Sequence, residues 1–297
     1  MIKKISYKDR NFDNKLLASF QEIGFAVITD HEIPKDLIEN AYDYWQEFYN
    51  STTDFKKSFL YNPQENNQGG YFPFKSENAK DQKVSDLKEF YHFYRNGRLP
   101  VNPINVTGRL EPMNIHANPQ AVIQLFVEME AMGVDLLRRL NNHLPDPIWR
   151  DLNMDLEVMA FNSPSTLFRS IHYPPIAESD NQEGAVRAAA HEDINLITLL
   201  PAATASGLEV RDLNGKWHEV KTSNNDIVVN VGDMLQLATG GFLKSTTHRV
   251  VNTVEGKTKS RYSMPMFIHP WPEVKLSPET TAEQYLIERL KEIGLKK

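Results

Sequence analysis

The hydrophobic pattern of the first fifty residues alternates between helical and strand-like spacing. Apolar residues recur every three or four positions over 13–23 and again from Pro34 to Phe48, which predicts two helices. Between them, residues 25–29 form a short apolar run of strand length. Gly24 stands where the first helix would end, and Pro34 stands where the second would begin. The chain therefore opens with a predicted helix, strand and helix.

The later pattern favours one long helix and then many short strands. An apolar stripe rich in Leu and Met predicts a helix over residues 119–144. From about residue 156 onward, short runs separated by turn formers are typical of a β-sandwich or barrel. Asn214-Gly215 predicts a hairpin with a two-residue turn, because both positions of that turn need positive φ. Residues 226–238 predict a strand, a Gly-Asp turn and a second strand.

Candidate chemistry first appears in the run His191-Glu192-Asp193 of this β-rich half. Side chains alternate faces on an extended segment, so His191 and Asp193 point the same way while Glu192 points away. His248, on a later predicted strand, is the best candidate for a third ligand. Two imidazoles and one carboxylate form the donor set that holds non-haem Fe(II) and leaves coordination positions open. The predicted metal site is therefore His191, Asp193 and His248.

A second pair of polar residues follows thirteen residues after His248, where Arg261 and Ser263 share one face of an alternating strand. A guanidinium beside a hydroxyl suits a carboxylate, because charge-assisted hydrogen bonds fix both its position and its orientation. The predicted partner of this pair is a small organic acid.

Together, His191-Glu-Asp193, His248-Arg-Val and Arg261-x-Ser263 resemble the motifs of the isopenicillin N synthase-like family of Fe(II)- and 2-oxoglutarate-dependent oxygenases. Nearly the whole chain fits this resemblance. It implies an α+β fold that is mainly β, with a double-stranded β-helix (jelly-roll) core, a helical N-terminal region and flanking helices.

The resemblance also implies a division of the chain and a reaction. Residues 1–118 would form the N-terminal helical and mixed region, and residues 119–297 the oxygenase core with a C-terminal helix. Fe(II), with 2-oxoglutarate as co-substrate and O2, would act at His191, Asp193 and His248 as the catalytic centre. The reaction would hydroxylate or desaturate a small-molecule substrate and release succinate and CO2.

The far carboxylate of 2-oxoglutarate would, by the same resemblance, bind Arg261 and Ser263. Tyr173, in His172-Tyr173-Pro174, matches the tyrosine that assists at this carboxylate in the family. Ile171 stands where many plant members carry an asparagine. Thr198, Leu208 and Phe242 are predicted walls of the pocket.

The composition argues against several kinds of binding partner and site. The formal charge of -6 and the absence of a Lys/Arg cluster argue against nucleic acid. The absence of cysteine excludes disulfides, thiolate metal sites and cysteine nucleophiles. No run approaches the length needed to cross a bilayer, so the expectation is a cytoplasmic protein without a membrane partner. The oligomeric state is not indicated by the sequence.

Two alternatives remain open at this point. Isopenicillin N synthase itself uses an Arg-x-Ser pair for a carboxylate of its substrate, so an oxidase that does not consume 2-oxoglutarate fits the same motifs. A non-catalytic jelly-roll binding protein is the alternative from another class. Three segments, the loops 62–85 and 174–187 and the helix that follows a capping box at Thr281, are predicted to border the substrate pocket.

Overall fold

The computed structural model of this chain describes residues 2–62, 69–77, 85–95, 97, 99–100, 116–152, 154–180 and 185–292. Within these residues, nine strands form a large sheet and four form a small one. The strands are β1 (Lys3–Ser6), β2 (Phe25–Thr29), β3 (Gly70–Phe72), β4 (Glu89–Tyr94), β5 (Leu167–Tyr173), β6 (Ala188–His191), β7 (Ile197–Pro201), β8 (Leu208–Arg211), β9 (Trp217–Glu219), β10 (Ile227–Val231), β11 (His248–Val250), β12 (Arg261–Ser263) and β13 (Met266–Ile268).

The helices lie mainly on the outer side of the large sheet. They are α1 (Phe12–Glu22), α2 (Lys35–Asn50), α3 (Thr53–Lys57), α4 (Pro119–Asn141), α5 (Asp146–Asp151), α6 (Leu156–Ala160), α7 (Asp233–Ala238) and α8 (Ala282–Glu292). Among the described residues, every helix is too short or too polar to cross a membrane.

The large sheet, in the order β1-β2-β10-β7-β13-β5-β4-β3 with β12 also beside β5, separates two cores. The outer core packs α1, α2 and α4 against the sheet. The inner core lies between the large sheet and the small sheet, which has the order β6-β11-β8-β9. Phe90, Ile171 and Tyr173 enter the inner core from the large sheet, and Leu208 and Val250 enter it from the small one. Two facing sheets around an inner core confirm the predicted jelly-roll architecture.

Helix α4 fixes the position of the central strands through a close approach to the sheet. Gly133 faces β13 and β7 at a point where a Cβ atom would lie 2.9 Å from the side chain of Ile268. Because glycine has no side chain, the helix can pack directly on Leu199 and Ile268. These strands in turn carry the residues that surround the candidate site.

One predicted element is wrong, and the turn of another is longer than predicted. The second strand predicted within 226–238 is helix α7, because Met, Leu, Gln and Ala are strong helix formers and an Asp occupies the first turn. The hairpin of β8 and β9 is confirmed, but Arg211 pairs with Trp217, so the loop has five residues and only Gly215 has positive φ. The Asp212 carboxylate accepts the backbone N–H groups of Asn214 and Lys216 and stabilises this longer turn.

The strand-rich region also begins later than predicted, because residues from 156 first form helix α6 and the next strand is β5. Residues 63–68 and 78–84 of the predicted pocket loop, residues 181–184 of the second loop and part of the predicted terminal helix lie outside the described residues. The capping box is confirmed, because the Thr281 and Gln284 side chains each accept the other residue's backbone N–H. The division at residue 118 stays a prediction.

Candidate active site

His191 and His248 face each other across two paired strands. Strands β6 and β11 run antiparallel with His191 directly opposite His248, and the two ring centroids are 4.4 Å apart. The sequence predicted one continuous strand through Asp193, but strand β6 ends at His191. Asp193 therefore reaches the same point from the irregular segment that follows the strand. One ligand atom from each of the three side chains lies within 4.8 Å of the other two. The fold therefore brings the three predicted ligands together.

Backbone carbonyls fix the orientation of both imidazoles. Nδ1 of His191 donates to the Ala189 carbonyl at 2.8 Å, and Nδ1 of His248 donates to the Thr246 carbonyl at 3.2 Å. Each ring then presents an unprotonated Nε2, which lies 3.7 Å (His191) or 3.6 Å (His248) from Oδ1 of Asp193. This donor set of two nitrogens and one oxygen, with its outer hydrogen bonds in place, fits a ferrous ion.

Asp193 is held by residues that sequence analysis did not assign to it. Its Oδ2 accepts hydrogen bonds from Thr198 Oγ1 at 2.6 Å and Asn230 Nδ2 at 2.8 Å, which leaves Oδ1 facing the histidines. Its backbone carbonyl accepts the N–H of Asp233 at 2.9 Å. The sequence signal for Asn230 is its position as the one polar residue in the buried strand β10.

The pKa shifts of His191 and Asp193 both favour the binding of a metal cation. Desolvation of its ring and the neighbouring His248 lower the pKa of His191, which favours a neutral imidazole. Burial alone would raise the pKa of Asp193, but the two histidines and the hydrogen bonds to Oδ2 outweigh it and lower that pKa. A neutral imidazole at His191 and an ionised carboxylate at Asp193 are the forms that bind a cation.

The other residues considered for the site lie at different distances from the three candidate ligands. Glu192 lies away from the three ligands and accepts a hydrogen bond from Thr247 Oγ1 at 3.1 Å. Leu208 belongs to the inner core, whereas Phe242 packs against the outer core. A role of either residue as a pocket wall stays a prediction. Helix α8 reaches the turn behind Asp193, because Arg289 Nε lies 3.2 Å from Oδ2 of Asp233. A lid role for α8 stays a prediction.

Arg261 and Tyr173 lie opposite each other on paired strands β12 and β5, and Ser263 lies opposite Ile171. Because alternate residues of a strand share a face, Arg261 and Ser263 face the same side as Tyr173. Arg261 is buried, its Cζ lies 5.0 Å from the Tyr173 ring centroid, and its Nε donates to the Ala205 carbonyl at 3.1 Å. Its Nη1 is buried without a hydrogen-bond partner among the described residues.

A second buried arginine, Arg187, was missed by the sequence analysis. Its Cζ lies 5.8 Å from the Tyr173 ring, and Nη2 donates to the carbonyls of Lys259 at 3.1 Å and Gly256 at 3.3 Å. Its Nε and Nη1 have no hydrogen-bond partner among the described residues. Burial, together with the charge of Arg261, lowers the pKa of Arg187. The sequence signal is a single basic residue in the otherwise apolar run before His191.

The two arginines create a strongly positive region in the inner core. Within the described part of the chain, neither Arg187 nor Arg261 forms an ion pair with a carboxylate. A cavity of about 410 Å³ opens at Arg261 and is bordered by Leu200, Leu208 and Val228, among other residues. An anion is the ligand that such a region would bind.

Comparison with known proteins identifies the family. Residues 164–270 match the model of the 2OG-Fe(II) oxygenase superfamily, and residues 4–115 match an N-terminal region model of non-haem dioxygenases of morphine synthesis. A candidate oxygenase of Shewanella oneidensis is 38% identical, with a TM-score of 0.82 over 98% of this chain and 99% of that one. The chain belongs to the 2OG-Fe(II) oxygenase superfamily. The isopenicillin N synthase-like resemblance is thereby confirmed.

Two further relatives support the assignment. A 2-oxoglutarate-Fe(II) type oxidoreductase of Aspergillus fumigatus is 30% identical over 84% of this chain and 74% of its own length. A full-length Neurospora crassa protein in complex with alpha-KG, 21% identical with a TM-score of 0.74 over 98% of this chain and 96% of that one, shares the fold. As a member of the superfamily, the protein is a 2-oxoglutarate- and Fe(II)-dependent oxygenase that uses O2 and releases succinate and CO2. This favours the 2-oxoglutarate hypothesis over the synthase-type oxidase and the binding protein.

Proposed function

We propose that His191, Asp193 and His248 are the residues that hold Fe(II) in this oxygenase. The observation that supports this most directly is the approach of their ligand atoms to within 4.8 Å of one another. Bound iron supplies the redox chemistry that couples O2 and 2-oxoglutarate to oxidation of the substrate. The chain's own contribution is orientation, because carbonyls hold both imidazoles and Thr198 and Asn230 hold the carboxylate.

Arg261 and Ser263, with Tyr173, are the proposed site for the far carboxylate of 2-oxoglutarate. The unpaired Nη1 of Arg261 supports this, since a buried guanidinium without an acid needs an anion to offset its desolvation. Ser263 adds a hydroxyl on the same face of β12. The cavity beside Arg261 provides space for a ligand. The buried charge of Arg261 therefore favours an anionic co-substrate here.

The primary substrate is proposed to be a small molecule that is hydroxylated or desaturated. Asp193 and His248 are buried between the two sheets, and His191 is the one ligand of the three with an exposed side chain, 43% accessible. Approach from that side suits a compact molecule better than a folded macromolecule. The proposed compartment is the cytoplasm, whose reducing conditions keep iron ferrous.

Stepwise loading under anaerobic conditions tests these residue assignments. Fe(II) and then 2-oxoglutarate are added to the full chain, and iron content and the visible charge-transfer band of the iron–keto acid complex are measured. The wild type should bind one iron and develop the band. His191→Ala and Asp193→Ala should each weaken iron binding more than tenfold, because each removes a ligand.

His218→Ala is the matched control for this experiment. His218 is hydrogen-bonded to Asp212 in the β8–β9 hairpin and should be dispensable for iron. Unchanged iron content in both ligand variants would overturn the metal assignment. An iron-loaded wild type without the band would instead contradict the co-substrate assignment.

A further inference from the structure

Asp233 is a buried carboxylate beside the candidate metal centre, and the function described above gives it no role. Its side chain is 4% exposed, and its backbone N–H donates to the carbonyl of Asp193 at 2.9 Å. Burial raises the pKa of its carboxyl group. A buried carboxylate is costly to desolvate unless a cation or hydrogen-bond donors offset that cost. The position of Asp233 therefore requires a partner elsewhere in the fold.

The first turn of α7 is bonded to the irregular segment that carries Asp193. Three successive backbone N–H groups donate to three carbonyls of this segment at 2.9, 2.9 and 3.2 Å, namely Gly232 to Leu196, Asp233 to Asp193 and Met234 to Asn195. The first N–H groups of a helix have no acceptor within the helix, so these carbonyls take that place. A Cβ atom on Gly232 would lie 2.1 Å from Oδ1 of Asn195, so the two segments are in direct contact. A displacement of α7 would therefore displace the segment of Asp193.

The same segment also holds the carboxylate of Asp193. Asn195 Nδ2 donates to Thr198 Oγ1 at 2.8 Å, and Thr198 Oγ1 donates to Oδ2 of Asp193 at 2.6 Å. Asn195 is thus bonded to α7 through its backbone and to the candidate iron ligand through Thr198. The position of α7 consequently affects both the backbone and the side chain of Asp193.

Arg289 of α8 is the cation that offsets the charge of Asp233. Its Nε lies 3.2 Å from Oδ2 of Asp233, and its side chain is 31% exposed. Across the described ranges, no other basic side chain pairs with this carboxylate. The charge of Arg289 is the largest influence that opposes the rise in the pKa of Asp233. One turn earlier in α8, the pKa of Tyr285 is raised by burial and then by the charge of Asp233, so its hydroxyl lies near the same carboxylate.

Helix α8 lies largely at the surface of the molecule. Ala282 is the one buried residue between 282 and 292, and the first turn is held by the N–H groups of Ala282 and Glu283, which donate to the carbonyls of Val274 and Pro272. In the later turns, Arg289 forms the one ion pair that the described residues of α8 make with another element. Removal of this pair should therefore loosen the end of α8 without exposing the core.

We propose that Arg289 and Asp233 are positioning residues for the iron site, and that their ion pair couples the docking of α8 to the geometry of Asp193. The coupling is reciprocal, because by linkage a metal bound at Asp193 strengthens the attachment of α8 by the same factor by which that attachment strengthens metal binding. The inference rests on the proposed function, because it needs Asp193 as an iron ligand.

Release of Co(II) from the full chain measures how firmly the site holds a metal. Co(II) accepts the same N/O donors as Fe(II), and its visible absorption reports its coordination during removal by excess EDTA. Arg289→Gln and Asp233→Asn should each release Co(II) about tenfold faster than the wild type, because outer partners of metal ligands typically have effects of this size. The double variant should release it no faster than either single variant, because the two residues act as one unit.

Two further variants of α8 are the controls. Lys291→Gln removes the same charge from the same helix, but Lys291 is exposed, and its variant should release Co(II) at the wild-type rate. Arg289→Lys keeps the positive charge opposite Asp233 and should retain most of the wild-type behaviour. Unfolding midpoints of the metal-free variants show whether each is folded.

Hydrogen exchange of the α8 amides measures the reciprocal effect. In the wild type, Co(II) should slow exchange in α8, and in Arg289→Gln this metal effect should disappear. A pair that only stabilised the fold would slow exchange equally with and without metal. The wild-type measurement depends on no variant, so it tests the coupling even if a substitution prevents folding.

Several outcomes would overturn the proposal. They are α8 exchange that ignores the metal in the wild type, wild-type release from Arg289→Gln, equally fast release from Lys291→Gln, or additive losses in the double variant. Asp193→Ala separates this failure from that of the proposed function. If the wild type binds no Co(II), or Asp193→Ala retains it as the wild type does, the metal assignment is wrong. If Asp193 is required but α8 does not respond, the coupling alone is wrong.

Discussion

Two groups of buried charges lie on opposite faces of β5, and they differ in how they are balanced. On the outer face, Glu89 accepts from His172 at 2.7 Å, from Lys56 at 2.9 and 3.1 Å, and from Tyr71. His172 is also bonded to Ser260 through its other nitrogen. On the inner face, Arg187 and Arg261 flank Tyr173 without a carboxylate partner among the described residues.

This difference indicates that one group stabilises the fold and the other binds a ligand. A buried charge costs several kcal/mol of desolvation unless a partner offsets it. The charges of the Glu89 group have their partners within the chain, so their desolvation is offset as soon as the chain folds. The two arginines do not, so part of their desolvation is offset only when an anion binds. The outer group should therefore control stability, and the inner group should control affinity for 2-oxoglutarate.

The largest expected effect is on stability, from Glu89→Ala. This change leaves Lys56 and His172 buried without their carboxylate and should lower the free energy of unfolding by about 3 to 5 kcal/mol. Urea unfolding followed by circular dichroism measures it. Glu39→Ala is the control, because Glu39 forms an exposed pair with Lys35 and should cost less than about 1 kcal/mol. Equal losses in the two variants would contradict the structural role of the outer group.

The second effect, from Arg261→Met, should fall on affinity and spare stability. Without co-substrate, removal of an unpaired buried charge should leave the free energy of unfolding unchanged or raise it. Affinity of the iron-loaded protein for 2-oxoglutarate should fall by about 2 to 4 kcal/mol, roughly 30- to 1000-fold. Titration of the charge-transfer band gives the affinity. Destabilisation as large as that of Glu89→Ala would show that Arg261 has an architectural role instead.

The same contrast shows what could be predicted from the sequence. His191, Asp193 and His248 were identifiable because their residue types and spacing carry the metal chemistry, even though Asp193 lies just beyond strand β6 and not within it. Glu89 was not identifiable, because its partners are remote in sequence and only the fold shows which charges are paired. Arg187 stands out as the one basic residue of an apolar run, but its lack of a carboxylate partner among the described residues appears only in the fold. Helix α7 was predicted as a strand because periodicity does not separate a short apolar helix from a strand.

Arg187 combines features of the outer group with features of Arg261. Its Nη2 bonds to backbone carbonyls resemble the outer group, whereas its unpaired Nε and Nη1 resemble Arg261. Arg187→Met should therefore weaken the binding of 2-oxoglutarate by about 1 to 2 kcal/mol and lower the free energy of unfolding by a similar amount. Both are measured as for the first two variants.

A keto acid without the second carboxylate, 2-oxobutyrate, separates a direct effect of Arg187 from general damage to the site. If the positive charge of Arg187 acts on the far carboxylate, Arg187→Met should weaken 2-oxoglutarate and leave the affinity for 2-oxobutyrate nearly unchanged. If Arg187 only holds the loops at Gly256 and Lys259, both keto acids should weaken together. Arg187→Lys should then recover much of the affinity in the first case, because the lysine ammonium restores the charge but not the planar fork.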